Sequence, residues 1–192
     1  SEPVSQATLR IVKVFWGLDS SLAYRRHFPA INWLTSYSLY LDRLAPWFNA
    51  HIAKDFSANR AEAMHILQLE SELQEIVRLV GIDALSPSDR LTLETAQILR
   101  EDFLQQNAFA EIDSYSSLAK QARLLKLILT YNHLGKKALD VGVSMEQVFD
   151  ISARERIGRA KDVPEDEYTA QYDRIDELMH TEIEELIARE VQ

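Results

Sequence analysis

From residue 39 to the C-terminus, apolar residues recur at the three- and four-residue spacing of helices that bury one face. The segments with this spacing, or with the start signals of a helix, are 39–53, 60–80, 86–105, 114–138, 144–160 and 164–190. Pro46 is expected to kink or restart the first, and Gly81 to end the second. Residues 86–89 combine a capping serine, a first-turn proline and the acid of a capping box. We predict a mainly α-helical bundle, with the apolar stripe of 60–80 buried along its length.

Residues 8–18 depart from this pattern because they are rich in β-branched and aromatic side chains. This composition predicts a strand buried on both faces, although the apolar spacing is also compatible with a helix. No later segment predicts a convincing partner strand, so we expect sequence outside this chain to complete the sheet. The hydroxyl residues at 35–38 are expected to cap the helix that follows. The predicted fold is thus a helical bundle preceded by one short strand and turn.

Composition excludes several classes of function. The 192 residues are 46% apolar, carry a net charge of −9 and include no cysteine. Residues 162–192 hold eleven acids and two arginines, which argues against nucleic-acid binding and is typical of a solvated helix face. No apolar run approaches the ~20 residues of a membrane-spanning helix. A reducing compartment is favoured, and the N-terminal serine leads us to expect processing or excision from a longer protein.

Phosphate-binding and metal-binding motifs are absent from the sequence. Five scattered glycines form neither a Walker A loop nor a dinucleotide fingerprint, and the five histidines lack metal-ligand spacing. Two aromatic segments remain as candidate ligand sites. Pro29 forces Phe28 into a rigid bend after a cationic cluster, and residues 102–109 lead from an amphipathic helix through three amide side chains to Phe109. Such rings can stack on a planar base, but the residues alone favour a structural role.

Six segments have a more specific character: VFWGLD (14–19), RRHFPAINW (25–33), SYS (36–38), EIVRLVG (75–81), EDFLQQNAF (101–109) and ERIGRA (155–160). Together they resemble the C-terminal part of the catalytic A subunit of archaeal and bacterial A/V-type rotary ATPases, over essentially the whole chain. The resemblance implies that 1–38 ends a nucleotide-binding domain and that 39–192 is a C-terminal helical domain. The Walker A loop, catalytic glutamate and magnesium-binding threonine would lie upstream, and an arginine finger would come from the neighbouring B subunit.

The resemblance also implies an adenine-binding role for four residues. Phe28 and Phe109 would flank the adenine of ATP, with Pro29 and Gln106 as neighbours. The cofactor would be ATP or ADP with Mg in the full subunit. We expect no catalytic residue, no metal ligand, no tightly bound nucleotide and no ATPase activity in this chain alone.

A second implied site is a loop that contacts the rotor of the motor. Residues 83–89 lie where the related F-type β subunit has its acidic DELSEED loop, and three of that loop's acids are missing here, which favours steric over charge-driven contact. The expected contact residues are Asp83, Leu85, Ser86, Pro87, Ser88 and Asp89. The implied partners are the B subunits of the catalytic hexamer and the central rotor stalk. The complex would lie on the cytoplasmic face of a membrane and couple ATP to proton or sodium transport.

The alternative is a free-standing helical module that binds partner proteins and no nucleotide. The two hypotheses differ in where they place Phe28 and Phe109. An adenine site requires both rings near one open surface, whereas burial in separate cores would exclude that role.

Overall fold

The computed structural model describes residues 2–191. A short helix, α1 (Pro3–Leu9), leads into β1 (Val14–Leu18), α2 (Ser20–Tyr24) and β2 (Ile31–Ser38). The helices that follow are α3 (Leu41–His51), α4 (Phe56–Val80), α5 (Pro87–Ile98), α6 (Glu111–Ser114), α7 (Leu118–Asp140), α8 (Met145–Phe149), α9 (Ser152–Gly158) and α10 (Tyr168–Glu190). The chain is thus a helical bundle, as predicted, with a small two-stranded sheet at its N-terminal end.

The two strands pair with each other, which corrects the expectation of a lone strand with a partner outside the chain. β1 and β2 are antiparallel, and the ladder is interrupted between Phe15 and Gly17 by a bulge in β2. Ser36 Oγ accepts the backbone N–H of Gly17 at 3.0 Å, so this hydroxyl belongs to the sheet rather than to a helix cap. Because four residues of β2 bulge outward, the two-residue alternation that signals a strand is hidden in the sequence.

The expected strand also differs in length and burial. Residues 8 and 9 end α1, and within β1 Trp16 and Leu18 are 70% and 84% exposed. The prediction of a strand buried on both faces is therefore wrong for residues 8–18. β1 lies in a two-stranded hairpin, and this arrangement leaves its side chains open to solvent.

The hydrophobic core lies among α4, α5, α7, α9 and α10, with α7 in its middle. The fully buried large side chains include Leu91, Ile98, Ile128, Tyr131, Ile157, Tyr172 and Met179. Two helix starts agree with the sequence signals: Ser86 caps α5, and Ser144 and Gln147 form the predicted capping box of α8. The helix predicted from residue 114 begins later, where Ser117 caps α7. Pro46 lies inside one continuous helix, so the expected restart does not occur.

α4 is longer than the core that it packs against. Its buried residues are Ala63, Ile66, Leu67 and Glu70, whereas Ile76, Leu79 and Val80 are 43%, 77% and 65% exposed. The predicted apolar stripe is therefore buried only in its first half. The second half extends beyond the bundle and ends, through Gly81 and the short 3₁₀ turn Ile82–Ala84, at the start of α5.

The helix predicted over 86–105 changes its geometry near its end. α5 is regular to Ile98, and residues Leu99–Leu104 then form a π-helical segment. Segments of this kind are uncommon and recur at functional sites. No helix among residues 2–191 is long and apolar enough to span a bilayer.

Candidate functional site

The turn that carries Phe28 is built by local hydrogen bonds between α2 and β2. Asp19 caps α2 by accepting the N–H of Ser21 at 2.8 Å, and its second oxygen accepts the side-chain amide of Asn32 at 2.9 Å. The Ser21 hydroxyl also donates to Asp19, at 2.7 Å, and this bond, followed by those from Asn32 and the Ser21 N–H, holds the pKa of the Asp19 carboxyl below its ordinary value. Arg26 has a φ of 58°, in the left-handed region, and the Phe28–Pro29 peptide is cis. The result is a tight, fully hydrogen-bonded connection that presents Phe28 at its outer edge.

This turn is joined directly to the segment that carries Gln106. The backbone N–H of Gln106 donates to the carbonyl of Phe28 at 2.7 Å. Gln106, which is far from Phe28 and Pro29 in the sequence, therefore lies beside the Phe28 turn in the fold. Phe109 follows Gln106 by three residues, so the segment that contacts the Phe28 turn also carries the second predicted aromatic residue.

The segment from Gln106 to Phe109 is itself anchored to the bundle. Asn107 N–H donates to Asp113 Oδ2 at 2.5 Å, and the Asn107 side chain accepts the N–H of Phe109 at 3.1 Å. Lys161 lies 3.4 Å from the same Asp113 carboxylate and donates to the carbonyl of Gln105 at 2.7 Å. Although this segment has no regular secondary structure, its path is set by a buried carboxylate and a lysine.

Both aromatic rings face solvent. Phe28 is 53% exposed and Phe109 is fully exposed, so neither fills a core. A cavity of about 330 Å³ lies beside the turn, but it is lined by Leu22, Arg25, His27, Arg100, Glu101 and Gln105 rather than by the two rings. The described chain thus offers two open aromatic rings on connected segments, with the space between them not enclosed.

Charged groups stabilise the helical side of the site. Arg100 binds Glu70 of α4 with Nε 3.0 Å from both carboxylate oxygens and Nη2 2.9 Å from Oε1. Two residues further on, burial raises the pKa of Asp102, although Arg154 lies 3.5 Å away and favours its ionised form. The π-helical segment is therefore tied to α4 and α9 by ion pairs that are mostly shielded from water.

The predicted rotor loop lies at the other end of α5, a helix of 12 residues that is about 18 Å long at 1.5 Å per residue. Ser86 Oγ accepts the N–H of Asp89 at 3.1 Å and donates to its carboxylate at 2.7 Å, a variant of the predicted capping box. The Asp83 side chain is 97% exposed and accepts a hydrogen bond from Arg90.

Burial divides the six predicted loop residues into two groups. Leu85 is only 8% exposed and packs inward, contrary to its expected contact role, because its backbone turns between α4 and α5. Asp83, Ser86, Pro87 and Ser88 are exposed and Asp89 is half-buried.

Sequence reasoning missed three residues that organise this site. His27, Arg100 and Glu70 connect the Phe28 turn, the π-helical segment and α4. The signal was weak: Glu70 is a charged residue within an apolar stripe, and its partner lies 30 positions away. Among residues 2–191, no group of three or more histidine, aspartate or glutamate side chains is placed to hold a metal ion.

Two family models match consecutive parts of the chain. Residues 45–148 match the family described as the C-terminal domain of V and A type ATP synthase. Residues 1–38 match the nucleotide-binding domain of the ATP synthase alpha/beta family.

Full-length relatives extend the similarity to the whole chain. The V-type ATP synthase alpha chain of Acetivibrio thermocellus is 62% identical over 192 residues, which are 100% of this chain and 33% of the relative. Those of Clostridium perfringens and Clostridium botulinum are both 57% identical, over 98% of this chain and 32% of each relative. The chain thus spans about a third of the length of these relatives.

Proposed function

Because this chain belongs to the V- and A-type ATP synthase family, we propose that it supplies the adenine side of an ATP site and a helical arm that moves with it. The family assignment favours this function over a free-standing interaction module. In this proposal residues 1–38 end the nucleotide-binding domain and 39–192 form the helical domain. The matched ranges, 1–38 and 45–148, support that boundary.

The observation that carries the proposal is the hydrogen bond from Gln106 N–H to the Phe28 carbonyl. It places next to each other two segments that each present an exposed phenylalanine. A purine held between two such rings gains about 1–3 kcal/mol from each stacking contact. In this proposal Pro29 and Gln106, which adjoin the bonded Phe28 carbonyl, complete the base-binding edge.

The phosphates and Mg of the nucleotide belong elsewhere in this proposal. The 192 residues contain no glycine-rich phosphate loop, so the bond-forming chemistry of ATP hydrolysis or synthesis is assigned to the remaining part of the subunit. The isolated chain should therefore bind ATP weakly or not at all and should not hydrolyse it. Calorimetry that detected micromolar ATP binding by this chain would contradict this part of the proposal.

The direct test replaces each ring in the full-length subunit within its assembled ATPase. Phe28→Leu and Phe109→Leu should each raise the KM for ATP about tenfold, because each removes one stacking partner, while kcat changes little. Tyr115→Leu is the matched control, since Tyr115 is an aromatic residue that is 88% exposed outside the proposed site. An unchanged KM in both phenylalanine variants would exclude the adenine role.

The second part of the proposal concerns the loop between α4 and α5. We assign it to contact with a central rotor stalk, with neighbouring B subunits completing the catalytic hexamer on the cytoplasmic face of a membrane. The exposed apolar end of α4, Leu79 and Val80, continues into the exposed Asp83. This composition favours a contact made by shape and apolar area more than by charge.

Measurements of ATP-driven ion transport distinguish a steric rotor contact from a charge-driven one. Charge reversal of Asp83 should leave ATP-driven ion transport nearly intact if the contact is steric, whereas Leu79→Ser with Val80→Ser should uncouple hydrolysis from transport. The opposite ranking would show that charge dominates. Equal, wild-type coupling in both variants would remove the loop from the rotor interface.

A further inference from the structure

His27 is the one residue of the turn 25–29 that is buried, at 7% exposure, although it lies between exposed neighbours. Its Nε2 is 2.9 Å from the carbonyl oxygen of Arg100, and its Nδ1 is 3.3 Å from the carbonyl of Pro29. Both carbonyls can only accept, so each hydrogen bond requires a proton on the ring nitrogen that faces it. We assign the proton of the neutral ring to Nε2, because its contact with Arg100 is the shorter of the two. The ring also packs against Trp33, with ring centroids 5.5 Å apart.

The Arg100 carbonyl oxygen also accepts a second hydrogen bond, which connects the His27 contact to the π-helical segment. Gln105 N–H donates to the same oxygen at 3.0 Å, which is the five-residue hydrogen bond at the end of the π-helical segment. The next N–H along the chain, that of Gln106, donates to Phe28. Two hydrogen bonds therefore cross between the turn and the π-helical segment in opposite directions, one from the His27 ring and one to the carbonyl of Phe28.

The far side of Arg100 is fixed as well. Its guanidinium is held by both oxygens of Glu70, whose Oε1 also accepts the side-chain amide of Gln74 at 3.1 Å. The carbonyl that accepts the His27 hydrogen bond thus belongs to a residue whose side chain is anchored to α4. The hydrogen bond from His27 therefore holds the Phe28 turn against a residue that is itself fixed to α4.

We propose that His27 is a positioning residue, which holds Phe28 at the place where the base stacks by bonding the turn to the Arg100 carbonyl. The inference rests on the adenine-binding function proposed above. His27 acts through Phe28 and does not touch the nucleotide. Loss of its N–H should weaken nucleotide binding while the chemical step is retained.

A matched pair of variants in the full-length subunit, within the assembled ATPase, tests this role. Gln and Met have the same length, but only Gln carries an N–H donor near the position of His Nε2. His27→Met should raise the KM for ATP about fivefold, as expected for one lost hydrogen bond, with kcat unchanged. His27→Gln should retain the wild-type KM. If the Met variant does not assemble, His27→Asn, whose amide is too short to reach Arg100, replaces it with the same expected increase.

A double-variant cycle with Phe28→Leu distinguishes failure of this inference from failure of the proposed function. If His27 acts through Phe28, His27→Met should change KM little once Phe28 is leucine. A raised KM in Phe28→Leu with a wild-type KM in His27→Met would overturn only the positioning role. A raised KM in both His27→Met and His27→Gln would also overturn it, because the donor would then not be what matters. A wild-type KM in Phe28→Leu would remove Phe28, and with it His27, from the adenine site, and a wild-type KM in Phe109→Leu as well would overturn the site itself.

Discussion

Glu70 and Arg100 form a two-oxygen ion pair across 30 positions of sequence, with the Glu70 side chain 7% and the Arg100 side chain 19% exposed. The pair joins α4, which ends at the proposed rotor loop, to the π-helical segment, which meets the Phe28 turn. This contact between the two elements is short and largely shielded from water.

The first prediction concerns the stability of this pair. Glu70→Gln should lower the free energy of unfolding by about 3 kcal/mol, because it removes the close charge partner of the largely buried Arg100 guanidinium and leaves it the more distant, exposed carboxylate of Glu101, 3.8 Å away. Urea unfolding of the chain measures the loss. Glu62→Gln is the control: Glu62 is more exposed and pairs with His133, so we expect a loss below about 1 kcal/mol. Equal losses in the two variants would show that the buried pair stabilises the fold no more than the exposed pair does.

A second prediction concerns Lys120, which is 2% exposed. Its ammonium donates to the carbonyls of Lys161 and Val163 at 2.9 and 2.5 Å, and burial lowers its pKa. Lys120→Met should destabilise the chain by about 2 kcal/mol, because it removes the donors of two carbonyls at the start of the α10 connection.

Lys126→Met provides the matched control for this test. Lys126 lies on the same helix, but its side chain is 57% exposed and bonds only Asp55. We expect a change below about 1 kcal/mol by urea unfolding. A loss at Lys126 as large as at Lys120 would contradict the role given to the buried ammonium.

The third prediction is a pH dependence with opposite signs at two carboxyl groups. Burial raises the pKa of Asp102 above its ordinary value of 3.8, so the ionised group destabilises the fold at neutral pH and the penalty disappears as pH falls. Asp102→Asn should therefore raise Tm at about pH 7 and lose this advantage towards about pH 4. Arg154 keeps a partner in Glu94, 2.8 Å away, so the substitution leaves no lone charge.

Glu165 should behave in the opposite way. Its carboxylate accepts the N–H of Ser117 at 2.8 Å, which lowers its pKa below 4.5. Its stabilising effect is complete above that value and is lost as pH falls through the lowered pKa. Glu165→Gln should lower Tm at neutral pH, and the difference from wild type should vanish in acid. The same sign for both variants across the thermal melts would contradict these assignments.

A fourth prediction tests the hairpin bulge at Gly17. A Cβ at this position would lie 2.5 Å from Thr35 Oγ1, so Gly17→Ala should open the hairpin. Amide hydrogen exchange in β1 and β2 should then rise by about tenfold or more, while exchange in α7 stays unchanged. Thr35→Ala should restore protection in the double variant by removing the clashing oxygen. Protection that is lost equally in the double variant would mean that another contact requires the glycine.

The helical bundle could be predicted from the sequence because its signals are local. Ser86 and Ser144 each cap the helix that follows, and the apolar spacing of residues such as Leu91, Ile98 and Ile128 places them in the core. The family segments carried further information that local chemistry does not contain. They pointed to Phe28 and Phe109, whose rings the structure leaves exposed on connected segments.

The features that could not be predicted depend on contacts distant in sequence. β2 was missed because its bulge, fixed by Asn32 and Ser36, hides the strand alternation. The exposed end of α4 has the same apolar spacing as its buried half, and only the tertiary fold separates the two. The roles of His27 and Glu70 follow from partners 73 and 30 positions away, for which a single sequence gives no periodic signal.

The central claim is that Phe28 and Phe109 enclose the base of one nucleotide, and photolabelling tests it most directly. An ATP analogue with an azide on its adenine ring, activated within the assembled ATPase, should label the peptides that contain Phe28 and Phe109, and excess ATP should abolish both labels. ATP-sensitive labelling confined to other peptides would contradict the claim.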